Sequence, residues 1–125
     1  MKNYNNTSSY NLKNFEQFIF EATKDFLPPE KISQIVSLFY SEIKKHNFSK
    51  SSESNLIRII SAFIDKVQFL KDCVNYPHHA EITVSIAHNS NFLTDVAVRN
   101  PEYLYYYFNP SNLLKEITQK RFILT

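Results

Sequence analysis

The chain has 125 residues, 43% of them hydrophobic and 21% charged, with 14 basic and 12 acidic side chains for a net charge of +2. That composition is globular, and its charge is too balanced for a nucleic-acid binder, which concentrates a basic face. There is no glycine, where average usage of about 7% would give roughly nine. A phosphate-cradling G-x-x-x-x-G-K loop, a dinucleotide-binding G-x-G-x-x-G turn and a G-x-S-x-G nucleophile elbow are therefore excluded. Hairpin-rich β folds are disfavoured too, because their tight turns favour Asn-Gly and Asp-Gly. A helical bundle needs glycine least, since asparagine can close a helix.

Residues 1–10 are polar and rich in Asn and Ser, which predicts a disordered arm rather than a signal peptide. From there Phe15, Phe18, Ile19, Ala22 and Phe26 recur at helical spacing and predict a first helix over Asn14–Phe26. Pro28-Pro29-Glu30 stops it and opens a second helix, with Ile32, Ile35, Val36, Phe39 and Ile43 inward and Lys44, Lys45 and His46 in the last turn. Residues 11–47 thus read as an N-terminal helical hairpin, and the serine-rich stretch Phe48–Ser54 as the connection that follows it. Ser54 is expected to cap a third helix carrying Leu56, Ile59, Ile60, Phe63 and Val67. Asp65-Lys66 either continues or breaks that helix. Phe69, Leu70, Cys73 and Val74 form the next apolar set.

Pro77 opens a further segment to Ala87. Glu81, Thr83 and Ser85 alternate there with Ile82, Val84 and Ile86, a period of two that suits a strand. A helix is the better expectation, because no second strand is visible to pair with it. Ser90 is placed to cap a helix whose stripe is Phe92, Leu93, Val96 and Ala97. Asn100 precedes Pro101, which ends that helix near Arg99; Asn100 then caps the next, with Glu102 at the positive end of its dipole. Asn109-Pro110-Ser111 repeats the device and starts a last helix with Leu113, Leu114 and Ile117. The end, Phe122-Ile123-Leu124-Thr125, is apolar and uncapped, as in a segment truncated at its C-terminus. The expected fold is all-α: an irregular bundle of six or seven short helices. No apolar run approaches the ~20 residues of a membrane span. The single Cys73 allows no internal disulfide, which points to a reducing cytoplasm.

Candidate chemistry is sparse. His78-His79 is the most metal-like pair, but helical neighbours point about 100° apart and the usual zinc spacing is i, i+4. His88 follows on the same segment, with Glu81 the acidic residue nearest in spacing. Solvated histidines at a helix start are the plainer expectation, and no metal ligand is assigned. Cys73 lies on an apolar face with no base marked, so a buried, inert thiol is expected. Asp25, Asp65, Asp72 and Asp95 form no D-x-D pair. Tyr103–Phe108 invites a stacking platform for bases, but no basic residue between Glu102 and Asn109 would track phosphate. Surplus aromatic surface there reads as a docking face. Arg99 and Glu102 bracket the corner and are placed to bridge it. No catalytic, cofactor-binding or metal residue is assigned.

The run Ser90, Phe92, Leu93, Asp95, Arg99, then Pro101, Glu102 and Leu104, resembles the segment ahead of the catalytic domain in the bacterial glutamine synthetase adenylyltransferase/deadenylylase family. Asn55-Leu56-Ile57-Arg58-Ile59-Ile60 is similar to the start of that family's preceding helix, and the likeness covers roughly residues 55–108. It departs at His88-Asn89, where the family often has glycine before the serine, and in the more aromatic Tyr105–Phe108. The resemblance implies that residues 54–125 are the non-catalytic front of an enzyme that transfers AMP to glutamine synthetase and removes it, using ATP and magnesium. The implied partners are the downstream nucleotidyltransferase domain and glutamine synthetase itself. Neither the family's Gly-containing loop nor its paired aspartates occur here, so no catalytic residue carries over and the chain alone is expected to be inactive. The competing expectation is a stand-alone helical module that binds a protein through its aromatic C-terminal helices.

Overall fold

The computed structural model describes residues 12–109 and 111–112 and forms seven α-helices among them. They are α1 (Lys13–Thr23), α2 (Pro29–Ile43), α3 (Lys50–Ser61), α4 (Lys66–Asn75), α5 (Pro77–Asn89), α6 (Asn91–Arg99) and α7 (Glu102–Tyr107). No strand occurs among the described residues. The arm expected at 1–10 and the helix expected at Leu113, Leu114 and Ile117 lie outside them. None of the helices is long and apolar enough to cross a membrane.

Helix α1 stops at Thr23, earlier than the periodicity of Phe26 suggested. Lys24 and Asp25 enter a turn, and Phe26 is 72% exposed instead of inward. Pro28 is extended, with φ −71° and ψ 159°, and Pro29 takes the first turn of α2 as expected. Helix α2 closes at Ile43, so Lys44 caps it and Lys45 and His46 follow its end rather than filling its last turn. The connection expected at Phe48–Ser54 is shorter than that. Ser49, not Ser54, caps α3: its hydroxyl accepts the Ser52 N–H at 3.1 Å, and the serines after it are already helical. Asp65 breaks the chain before α4 and caps it, accepting from Gln68 N–H at 3.0 Å.

Helix α5 is the centre of the bundle and packs against α2, α3, α4, α6 and α7. Ala80, Val84 and Ala87 form a row of small buried side chains, and Thr83 and Ile86 are buried beside them. A helix covered on so many sides has little amphipathic contrast, which is why its sequence alternates like a strand. The β-branched Thr83 is accommodated because its hydroxyl donates to the His79 carbonyl one turn back, at 2.7 Å.

One apolar core runs through all of this. Phe15 and Ile19 of α1 and Ile35 and Phe39 of α2 belong to the same buried cluster as Leu56, Phe69, Val84 and Leu104. The rings of Phe15 and Phe39 meet at 5.5 Å. The N-terminal pair of helices packs against α3, α4 and α5. A buried carboxylate assists: Glu53 of α3 accepts the Phe15 N–H, one of the donors at the start of α1, at 2.9 Å.

Two joints spend a single residue and a third spends two. Tyr76 ends α4 and begins α5, Ser90 ends α5 and begins α6, and Asn100, extended at φ −147°, closes α6 ahead of Pro101 and α7.

Candidate functional site: an aromatic corner

The corner at Ser90–Phe108 is built from capping upward. Ser90 accepts the Leu93 N–H at 3.0 Å, as its position before the apolar stripe predicts. Replacing it with alanine should cost about 1 kcal/mol, read as a lower urea midpoint with an unchanged slope. The stripe itself is rotated from the expected one. Leu93, Thr94 and Ala97 are buried, Val96 is half-buried, and Phe92 is 44% exposed. Thr94 takes the inner position because its hydroxyl donates to the Ile86 carbonyl near the end of α5, at 3.4 Å.

A polar seam ties this corner to α3. Asn55 is buried and donates both to the Ala87 carbonyl at 3.1 Å and to Asn91 Oδ1 at 2.9 Å. Arg58 reaches Asp95 at 3.1 Å and Asn55 Oδ1 at 3.4 Å. Arg58 and Asp95 are both about half exposed, so the ion pair contributes at most about 1 kcal/mol. Asp95 thus pairs with an arginine of another helix. The expected bridge between Arg99 and Glu102 is not the contact Arg99 makes; its Nε donates to the Asp95 carbonyl at 3.4 Å. Asn100 serves through its backbone, with its carbonyl accepting from Tyr103 N–H at 3.0 Å. At the second corner the side chain does cap: Asn109 Oδ1 accepts the Ser111 N–H at 3.0 Å.

Helix α7 divides its aromatic residues between two sides. Leu104, Tyr107 and Phe108 are buried, while Tyr103 and Tyr106 are about half exposed. Tyr103, Tyr106 and Tyr107 line a shallow pocket together with Val96 of α6. Tyr105 turns the other way. Its hydroxyl donates to Asp72 Oδ2 at 2.7 Å, and its ring meets Phe63 and Phe69 edge-on. Burial and then that hydrogen bond push the phenol well above its ordinary value, so it stays protonated.

His79 is only partly solvated, less than expected. It stacks on Phe108 at 3.9 Å with planes 10° apart, and Tyr105 and Tyr76 close further sides. Its Nδ1 is buried with no hydrogen-bond partner among the described residues. Removal of the ring from water lowers its pKa below the ordinary 6.5; His78 adds to this and Asp72 opposes it. His78 is exposed and sits edge-on to His79, so the pair does not converge on one point. His88 is also lowered, first by burial and then by His46, whose ring lies 5.0 Å away; Ser52 Oγ is hydrogen-bonded to its Nδ1 at 2.9 Å. Both shifts have the same sign for stability. The unfolded chain takes up protons more readily, so stability falls as pH drops below about 6.5 and levels off once the folded histidines are charged as well. The melting temperature should therefore decline from about pH 7.5 to about pH 5. His79→Phe, which keeps the stack and removes the ring nitrogens, should flatten part of that decline. A melting temperature that rises on acidification would contradict the assignment.

Cys73 is buried, and burial together with the Asp72 carboxylate raises its thiol far above the ordinary range. It is a core side chain. Among the described residues no group of three or more His, Cys, Asp or Glu is arranged to hold a metal ion. The corner thus combines capped helix ends, a polar seam and a half-exposed tyrosine face. No family model, curated protein or solved structure matches this chain.

Proposed function

We propose that this chain is a non-catalytic helical docking segment, equivalent to the N-terminal part of a glutamine synthetase adenylyltransferase. Its exposed tyrosine face would seat a nucleotidyltransferase domain in the cytoplasm. In this reading AMP transfer to and from glutamine synthetase, with ATP and magnesium, belongs to the partner domain and serves nitrogen regulation. One observation supports it above others. Several of the residues that carry the resemblance build a corner: Ser90 caps, Leu93 and Leu104 are buried, and Asp95 holds Arg58. What the corner presents outward is Phe92, Tyr103 and Tyr106. Half-exposed tyrosines with an apolar body and a polar tip suit a protein interface.

The test is titration calorimetry of the full chain against the nucleotidyltransferase domain of a bacterial adenylyltransferase. Binding is expected, and Tyr103→Ser with Tyr106→Ser should abolish it without moving the melting temperature. Absence of binding, or binding indifferent to the double substitution, would refute the proposal. A second reading, a stand-alone helical interaction module, is favoured by the way all seven described helices contribute to one core. It predicts a monodisperse chain in sedimentation and a partner unrelated to nucleotidyl transfer.

A further inference from the structure

Away from the tyrosine corner, α1 and α4 lie side by side with an apolar trough between them. Phe18 and Ala22, one turn apart on α1, face Val67 and Lys71, one turn apart on α4. The turns after α1 and before α4 add Phe26 and Ile64 at the rims, and Ile64 is fully exposed. The trough has a volume of about 700 Å³ and is open to solvent along its length. At Leu27 and Lys71 it meets a smaller hollow lined by Lys31, Ile35 and Val74. Two large side chains left this wet, beside unfilled apolar walls, mark a surface made to be covered.

The charges around it indicate what covers it. Its acidic residues are engaged: Glu21 holds Lys24 at 3.2 Å and Gln17 at 2.9 Å, and Asp65 caps α4. Among the described residues Lys31, Lys66 and Lys71 have no carboxylate within ion-pair distance, and Lys66 donates only to the neutral Phe63 carbonyl. Three lysines stand against Asp65 once Glu21 is matched by Lys24, so the lining of the two hollows is net positive, and the occupant that complements it is apolar on one face and acidic on the flanks. The chain's own remaining segments do not answer. Residues 1–11 carry Lys2 and no acid, and residues 113–125 carry Lys115, Lys120 and Arg121 against Glu116. A second copy placed trough to trough would bring like charges together. A planar lipid surface would touch Phe26 and Ile64 but leave the floor at Ala22 and Val67 unfilled.

We propose that the α1–α4 trough is a docking site for an acidic amphipathic helix of a partner protein. Such a helix lays apolar residues at i, i+3/i+4 and i+7 into the trough and sets Asp or Glu opposite the three lysines. This surface shares no residue with the tyrosine corner, so the two proposals stand or fall separately.

The experiment uses the full 125-residue chain and two synthetic helical peptides of about 15 residues. Both carry leucines at that spacing; one has glutamates on its flanks, the other lysines. The acidic peptide is expected to bind, to weaken as salt is raised, and to shift the amide resonances of α1 and α4 rather than those of α6 and α7. Phe26→Ser with Ile64→Ser should weaken it, and because both side chains are exposed the melting temperature should hold. Lys31→Glu with Lys66→Glu and Lys71→Glu should weaken the acidic peptide roughly tenfold or more and transfer preference to the basic one. The proposal is overturned if neither peptide binds, if both bind alike, or if the shifts fall on α7. Binding to phosphatidylserine vesicles without binding to the acidic peptide overturns it in favour of a lipid surface.

Discussion

Phe39→Ala should lower the stability of this protein by about 3–5 kcal/mol, the range for truncating a fully buried phenylalanine. Phe39 has no accessible surface and its ring lies 5.5 Å from that of Phe15. The cost has two parts, the lost transfer of the ring out of water and the hole that rigid neighbours cannot fill. For a domain of this size it corresponds to a fall in melting temperature of roughly 15–30 °C. The informative readout is where protection is lost. Because α2 packs on α4 and α5 as well as on α1, hydrogen exchange should accelerate in α3 and α5 as much as in α1. A variant in which α1 and α2 melt early while α3–α7 keep their protection would mean two cores, and would refute the single cluster described above.

The second large effect concerns Glu53, a carboxylate 2% exposed. It accepts the Phe15 N–H at 2.9 Å, and so places a negative group at the positive end of α1. Glu53→Ala removes a charged acceptor, leaves a buried donor unsatisfied and opens space, at a cost of about 2–4 kcal/mol. Glu53→Gln retains an acceptor oxygen and should cost distinctly less. The comparison, made by urea denaturation, separates the charge from the hydrogen bond and packing that glutamine keeps. Equal losses in the two variants would mean that the charge itself, rather than the acceptor, holds α1 in place.

Proline and capping chemistry made much of this architecture legible. Pro28-Pro29, Pro77 and Pro101 mark three helix starts, because each removes an N–H that the first turn leaves unpaired anyway. Ser90 was identifiable as a cap for the same local reason. Legibility failed where tertiary contacts choose among equal local options. Four serines lie between residues 49 and 54, and only the neighbouring fold selects Ser49. Phe92 and Leu93 are adjacent apolar residues, and a helix face admits one of them; Thr94 on the other side of Leu93 wins because Ile86 offers it a carbonyl. Phe26 continued a perfect stripe into residues that turn. At the corner, the aromatic run was visible but its division was not, since Tyr105 is turned by its bond to Asp72 and Phe108 by its stack on His79. Glu53 had no signal at all: a glutamate among serines reads as solvated until Phe15 is placed beside it.

The single-residue joints at Tyr76 and Ser90, with the two-residue joint at Asn100-Pro101, limit how this chain can change in length. Each helix hands over to the next with no spare chain, so one added or lost residue would swing every following side chain about 100° around its axis. The Val84, Leu93 and Leu104 layers would then turn out of the core together. Insertions should be tolerated instead in the longer turns at 24–28, 44–48 and 62–65. Between residues 66 and 107 the length of the chain is as constrained as its core composition, although most of its surface residues are free to vary.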